Sequence, residues 1–166
     1  LRASYGTVGN QDIDWYAARG YYMAGHNYDG VVGIAPESIS NTKLTWETSK
    51  KFDVGFDLSF IDRIHLSLDY YNETTSDALM KMPLSMTTGL ASTYKNIGKI
   101  RNQGIEVDLK ATIMHSKDLD WNAYANMTWN QNRVVKLSSG EPIVNTLTIN
   151  EVGYPYNEFY MREYAG

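Results

Sequence analysis

The stretch Phe52-Asp-Val-Gly-Phe-Asp-Leu-Ser-Phe60 decides the fold of this 166-residue chain. Apolar side chains occupy every even position from 52 to 60, and small or polar residues occupy every odd position between them. A period of two residues is the pleat of a β-strand, which has one apolar face and one polar face. Weaker alternation continues back to Trp46. The sequence therefore predicts a strand over residues 46–60.

Three further segments on the C-terminal side repeat this alternation. The predicted strands are 46–60, 64–82, 97–113 and 121–135, and the predicted connections between them are 61–63, 83–96 and 115–118. Pro83 marks the end of the second strand, because proline cannot donate to a sheet ladder. The first two strands, joined by so short a break, are typical of an antiparallel hairpin.

The remaining segments are less regular. Leu1, Ala3 and Tyr5 alternate with polar residues and indicate the tail of an earlier strand. Residues 7–44 are rich in Gly, Asn and Tyr and predict a long loop, although a loop of that length is unusual inside a compact domain. Residues 138–166 are mixed, with possible strands near 144–149 and 159–164.

Strand length and connection length favour a membrane barrel over a soluble sandwich. A 15-residue strand rising roughly 3.3 Å per residue and tilted near 45° climbs about 35 Å, enough to cross an apolar band of about 25 Å. The connections alternate between short and long, as do the periplasmic turns and extracellular loops of outer-membrane barrels. Phe60 and Trp121 lie beside short turns, and Trp46 and Trp129 lie toward the long loops, where aromatic girdles are expected. We therefore predict an all-β fold, an antiparallel transmembrane β-barrel segment with long extracellular loops and short periplasmic turns.

In a barrel, the two faces of these strands meet different surroundings. The residues expected to face lipid are Phe52, Val54, Phe56, Leu58, Leu66, Leu68, Val107, Leu109 and Met127. The residues expected to face the lumen are Asp53, Asp57, Asp69, Tyr71, Glu106, Asp108, Asn122, Tyr124 and Asn126. In a soluble sandwich the same polar residues would form the solvated outer face, so they do not distinguish the two folds.

Composition excludes several classes of function. The net charge of −4 argues against a nucleic-acid partner. The absence of Cys excludes a disulfide scaffold and thiolate metal sites. No run of 18 apolar residues is present, so the chain holds no candidate transmembrane helix. Thirteen Tyr and four Trp against four Phe favour a surface between polar and apolar phases, because Tyr and Trp have an apolar ring and a polar tip.

The sequence contains no motif of an enzyme or a metal centre. The three histidines, His26, His65 and His115, have no metal-ligand spacing. No P-loop, dinucleotide fingerprint or nucleophile elbow is present. We therefore predict no catalytic residues, no metal, no cofactor and no enzymatic activity.

Five sequence elements, taken in order, resemble a known family. They are Leu1-Arg-Ala-Ser-Tyr-Gly-Thr-Val-Gly-Asn-Gln11, Leu44-Thr-Trp-Glu-Thr48, Asp69-Tyr-Tyr-Asn72, Asn96-Ile-Gly98 with Asn102-Gln-Gly-Ile-Glu106, and Gly153-Tyr-Pro155 with Phe159-Tyr160 and Tyr164-Ala-Gly166. Together they cover nearly the whole chain. In this combination the chain resembles the C-terminal barrel region of the SusC/RagA-like TonB-dependent outer-membrane transporters of Bacteroidetes.

The resemblance implies energy-dependent import of large nutrients, either oligosaccharides or oligopeptides, across the bacterial outer membrane. It implies a SusD-like surface lipoprotein as partner. It also implies drive from TonB–ExbB–ExbD through an N-terminal region, and a 22-stranded barrel with a plugged lumen. The chain opens without Met on a strand-like stretch, so we expect residues 1–166 to be a fragment of the barrel, with the plug and the closing strands elsewhere.

The aromatic residues of the long loop are candidates for substrate or partner contact. They are Trp15, Tyr16, Tyr21, Tyr22 and Tyr28. Flat rings stack on sugars, and a loop at the mouth of a barrel meets the substrate or the lipoprotein; alternatively these rings pack the loop against its neighbours. Two other functions stay open at this point: a secreted glycan-binding β-sandwich, and a passive porin that needs no plug.

Overall fold

Ten β-strands make up nearly all of the regular structure in the computed structural model, which describes residues 1–164 and 166 and all their side chains except those of His26, Tyr28 and Ile97. In chain order the strands are β1 (Arg2–Asn10), β2 (Tyr22–Tyr28), β3 (Val31–Pro36), β4 (Glu47–Phe60), β5 (Ile64–Pro83), β6 (Ser92–His115), β7 (Asp120–Leu137), β8 (Ile143–Val144), β9 (Thr148–Asn150) and β10 (Glu158–Phe159). A single 3₁₀ turn at Met86–Thr88 lies between β5 and β6. Among the described residues, no helix is long and apolar enough to cross a lipid bilayer.

The main sheet is antiparallel and has five strands in the order β1-β4-β5-β6-β7. The sheet has two distinct ends. The turn end carries the short connections at 61–63 and 116–119, and the loop end carries residues 11–46 and the β5–β6 connection. All four strands expected from alternation are present, so the period of two was a sufficient signal for the sheet.

Strand β6 is longer than the sequence predicts. It begins at Ser92 rather than at residue 97, so the connection expected over 83–96 shrinks to 84–91. The extra residues pair with the far end of β5, where Lys81 lies opposite Tyr94. A bulge at Asp77, whose φ is 56°, breaks the alternation that would have revealed this extension.

The prediction of a long loop over residues 7–44 is partly wrong. β1 continues to Asn10, and the segment contains the β2–β3 hairpin. The two-residue turn Asp29-Gly30 joins these strands with φ values of 49° and 80°, the left-handed geometry that a tight hairpin needs and that Asp-Gly favours. Glycines within the hairpin weaken the alternation, so the Asp-Gly pair is the sequence signal for it.

The C-terminal segment folds back onto the loop end. β8, β9 and β10 form a small sheet in the order β10-β9-β8, shorter than the strands expected near 144–149 and 159–164. The Val134 amide donates to the Tyr154 carbonyl at 2.8 Å, and the Gly153 amide donates to the Val134 carbonyl at 2.9 Å. A small core of Ala78, Met80, Val134, Leu137 and Ile143 lies at this end.

Cross-strand register divides the main sheet into two faces. The apolar face has continuous rows such as Phe56–Leu68–Val107–Met127, and the polar face has rows such as Asp57–Ser67–Asp108–Asn126. The described part of the chain places no second layer against the apolar face: Leu58 is 60% exposed and Met127 is 62% exposed. A sandwich would cover this face with another sheet, so the sandwich alternative finds no support in the described residues.

Candidate functional site

All nine residues expected to face lipid share the apolar face, and all nine expected to face the lumen share the polar face. The pairing partners fix this arrangement, because residues opposite each other across antiparallel strands point to the same side. The pairing fixes which residues share a face, and it leaves open which of the two faces meets lipid.

An ion cluster occupies the polar face near β1. The Arg2 guanidinium donates to both carboxylate oxygens of Asp69 at 2.9 Å and lies 3.2 Å from the Asp57 carboxylate. The Ser67 hydroxyl donates to Asp57 at 3.0 Å and to Asp69 at 3.3 Å. Three strands, β1, β4 and β5, thus contribute to one exposed network, which holds two neighbouring carboxylates around one cation.

Two glycines give the polar face room for its large side chains. A Cβ on Gly55 would lie 2.1 Å from the Asp69 carboxylate and 2.9 Å from the Arg2 guanidinium. A Cβ on Gly104 would lie 2.6 Å from the Tyr71 hydroxyl, because the Tyr71 ring crosses the strand there. The same Tyr71 ring has the Lys51 ammonium 5.7 Å from its centroid. The glycine positions are the sequence feature that locates these contacts.

The polar face carries more acids than bases. Its strand residues include the acids Asp53, Asp57, Asp69, Glu73, Glu106 and Asp108 against the bases Arg2, Lys51 and Lys110. Its exposed carboxylates and amides can hydrogen-bond a polar solute along the length of the strands. The described side chains include no group of three or more His, Cys, Asp or Glu arranged to hold a metal ion.

A second candidate site is a pocket at the loop end, between the long loop and the β5–β6 hairpin. Asp14 and Tyr21 from the loop line it, together with Lys81 and Tyr94 from the hairpin. The Tyr94 hydroxyl donates to the Asp14 carboxylate at 3.1 Å, and the Lys81 ammonium lies 3.7 Å from the same carboxylate. The Lys81 ammonium also lies 5.1 Å from the centre of the Tyr94 ring.

Neighbouring groups in this pocket favour the protonated, charged form of Lys81. The hydrogen bond to Tyr94, followed by the charges of Tyr94 and Asp14, raises the pKa of Lys81 above its ordinary value of 10.5. Lys81 lies well beyond the last apolar row of β5, in the part of the hairpin that projects from the loop end. The pocket volume of about 140 Å³ is below the roughly 300 Å³ of ordinary ligand pockets. The contacts therefore anchor the loop, and the pocket is too small for an oligomeric solute.

The loop aromatics do not converge on this pocket. Tyr21 lines it, whereas Trp15, Tyr16 and Tyr22 are 89%, 68% and 73% exposed on the outside of the loop. The side chain of Tyr28 lies outside the described residues. Sequence reasoning missed Lys81 and Tyr94, because the contact that gives them a role comes from a loop about 70 residues earlier, and nothing in the local pattern marks it.

One asparagine explains a motif that the sequence singled out. The Asn96 side-chain amide donates to the carbonyls of Thr45 and Asp77 at 2.7 and 2.8 Å, and its oxygen accepts from the Thr45 amide at 2.9 Å. The Glu47 carboxylate also links strands, because it accepts hydrogen bonds from the Asn10 side chain at 2.6 Å and from the Leu79 amide at 3.2 Å. These residues join the loop end of the sheet across several strands.

The chain is similar to known TonB-dependent receptors. Residues 1–161 match the family described as TonB dependent receptor-like, beta-barrel. The chain is similar to TonB-dependent receptor P3 of Formosa agariphila, with 33% identity over 99% of this chain and 18% of that protein. It is also similar to TonB-dependent receptor SusC of Bacteroides thetaiotaomicron, with 29% identity over 97% of this chain and 18% of that protein.

Solved structures have a similar fold. The structure titled as that of the RagAB peptide transporter matches with a TM-score of 0.85 and 36% identity, over 99% of this chain and 19% of that chain. The "open-open" state of the RagAB peptide importer matches with a TM-score of 0.78. The chain thus spans about a fifth of the length of the relatives it matches.

Proposed function

This chain belongs to the TonB-dependent receptor-like β-barrel family, and from that premise we propose that it forms part of the wall of an active importer of large nutrients. The observation that carries the proposal is the two-faced sheet: long strands with an uncovered apolar face and a hydrogen-bonding polar face. The family is one of outer-membrane proteins, and this chain lies in the outer membrane. The strands of its main sheet, β1 and β4 to β7, are the proposed transmembrane elements.

The proposed orientation places the apolar face against lipid and the polar face toward the lumen. Exposed apolar rows such as Phe56–Leu68–Val107–Met127 are stable in contact with acyl chains, whereas the Arg2–Asp69 cluster needs water. The chain supplies five long strands, and plugged transporters of this kind have about 22. In the proposed assembly residues 1–166 are therefore one section of the wall, and the plug and the remaining strands belong to other parts of the full-length protein.

For the substrate we propose oligopeptides ahead of oligosaccharides. The similarity to a protein whose structure is titled a peptide transporter supports this choice. The excess of carboxylates on the polar face favours neutral or positively charged peptides over acidic ones, because like charges repel in a confined channel. The exposed loop aromatics Trp15, Tyr16 and Tyr22 are the proposed contacts for substrate or for a surface lipoprotein.

The proposed partners follow from the family. A SusD-like lipoprotein would cover the mouth, and TonB–ExbB–ExbD would supply energy through another region of the full-length protein. No catalytic role is proposed, since the family is one of transporters and receptors.

Uptake by living cells tests the proposal. Cells with and without the full-length gene are given fluorescent oligopeptides or oligosaccharides, in the presence or absence of a protonophore. We expect peptide uptake that is lost both on gene deletion and on collapse of the proton gradient. Gene-dependent uptake that survives the protonophore would support the passive porin instead, and uptake of saccharides alone would overturn the choice of peptides.

A further inference from the structure

A belt of cations lies on the apolar face, next to its last apolar rows. Lys50, Arg101 and Arg133 belong to one cross-strand row, and Lys99 and Lys136 belong to the next row toward the loop end. The apolar rows stop just before this belt, with Asn72, Gln103 and Gln131 between them. We call these five cations the basic belt.

The basic belt has no counter-charge on its own face. The other members of its two rows are Thr7, Thr74, Gly9, Thr48 and Ser76, and no carboxylate is among them. The acids at the same level, Glu47 and Glu73, belong to the polar face. Among the described side chains, no belt residue has a carboxylate within ion-pair distance. The belt is therefore a patch of uncompensated positive charge.

Register makes this patch unfavourable without an anion. Arg101 lies directly opposite Arg133, and Lys99 lies directly opposite Lys136. Directly opposed like charges destabilise a sheet, because their Cβ atoms are only about 5 Å apart. An anion between two such pairs would relieve the repulsion, and arginine forks match the oxygens of a phosphate.

The surroundings of the belt indicate how that anion is held. A shallow depression on this face is lined by Lys50 and Lys99 together with Tyr5, Phe52, Tyr70 and Asn72. On the side of the depression toward the turn end, the lining is aromatic, with Tyr5, Phe52 and Tyr70. On the side toward the loop end, Lys50 and Lys99 make it cationic. A ligand that fills it has an anionic head and an apolar body. The short turns of such barrels are periplasmic, so the belt lies at the level of the outer leaflet.

We propose that the basic belt binds the phosphate groups of a phosphorylated glycolipid in the outer leaflet of the membrane. The apolar rows below the belt contact the acyl chains, and Lys50, Arg101 and Arg133 hold the phosphate oxygens. This inference rests on the proposed orientation of the sheet and adds a lipid site that the import function does not require.

The test uses the full-length protein in phosphatidylcholine nanodiscs doped with phosphorylated lipid A, with bound lipid counted by native mass spectrometry. The variant combines Lys50→Gln, Arg101→Gln and Arg133→Gln, and the matched control combines Lys51→Gln and Lys110→Gln on the polar face. Each cation near an anionic surface contributes about fivefold, so the triple variant loses on the order of a hundredfold in affinity. We expect the control variant to keep the affinity of the parent protein.

Two further arms separate the explanations. A charge-preserving variant with Lys50→Arg, Arg101→Lys and Arg133→Lys retains more of the binding than the triple variant, and unchanged heat-dependent migration of the triple variant on gels shows that its loss is due to charge and not to misfolding. Lipid A stripped of its phosphates binds parent and triple variant equally weakly. Equal binding of phosphorylated lipid A by parent and triple variant would overturn the lipid site and leave peptide import untouched. Loss of binding in the control variant would show that the polar face meets lipid, and it would overturn the proposed orientation as well.

Discussion

At the scale of single residues, side chains on the polar face pack closely against one another even though they are exposed to solvent. At Gly55 and Gly104 a larger side chain would collide with a side chain from the neighbouring strand. Both lie beneath a cross-strand contact, one formed by Arg2 and Asp69 and the other by Tyr71. Alternation alone predicts that these glycines point to the polar face, but it does not predict the contacts above them.

Replacing Gly104 tests this fit. The Gly104→Ala change puts a methyl group 2.5 Å from the Trp129 carbonyl and 2.6 Å from the Tyr71 hydroxyl, so the Tyr71 ring must move. We expect a loss of about 1–3 kcal/mol, the usual cost of overpacking. The measurement is the urea midpoint of the full-length protein in detergent. Gly6→Ala is the matched control, since nothing lies within 4 Å of its added Cβ, and a similar loss in both variants would contradict the assigned contact.

At the scale of elements, the β5–β6 hairpin is the longest feature and the least predictable. The alternation of Ile64, Leu66 and Leu68 identifies the start of β5, and that of Ile105 to Ile113 identifies the C-terminal half of β6. The far ends of both strands lie beyond the apolar rows, and the bulge at Asp77 interrupts the period of two that marks a half-buried strand. Their pairing is supported by the small core that includes Ala78 and Met80 and by contacts with the long loop, which no local pattern encodes.

The Lys81 contact to that loop gives a pH-dependent prediction. The pKa of Lys81 is raised by Tyr94 and Asp14 in the folded state, so its contribution is complete below the ordinary value of 10.5 and is lost as the pH rises through the raised pKa. Hydrogen exchange of residues 14–21 in the full-length protein, corrected for intrinsic rates, should therefore accelerate only above pH 10.5.

The same loop contact can be removed by mutation at neutral pH. Lys81→Met should accelerate exchange of the same amides by at most about fivefold, because an exposed ion pair contributes less than about 1 kcal/mol. Lys95→Met on the neighbouring strand is the control, and it should leave the loop unchanged. Faster exchange in the control alone would show that another contact anchors the loop.

At the scale of the whole molecule, the main sheet has one apolar face and one polar face. The sequence predicts this division well, because the strands of the main sheet alternate between the turn end and residues such as Tyr70 and Trp129, with one irregularity at Ile113-Met114 in β6. The sequence does not predict that β1 pairs with β4. The two strands are separated by about 40 residues, and no local pattern indicates which distant strand pairs with which.

One pair of adjacent substitutions tests which solvent each face meets. Phe56→Arg in the full-length protein should impair assembly, because arginine near the centre of a bilayer costs roughly 2–4 kcal/mol. Asp57→Asn should be nearly neutral, since the Asp57 contact to Arg2 is an exposed ion pair. Heat-dependent migration of outer-membrane extracts on gels reports the folded fraction. The reverse ranking of the two variants would show that the faces are exchanged.

The difference between the two faces also sets how this protein can evolve. In the proposed orientation, lipid adapts its shape to whatever apolar side chain it meets, so Phe, Leu, Val and Met can replace one another at positions such as Phe56 and Leu68 with little consequence. Arg2, Gly55 and Asp69 fit one another across three strands, so a change at one demands a change at the others. Substitutions accumulated among relatives should therefore rise and fall with the two-residue period of the pleat, drifting freely on one side of the wall and changing in concert on the other.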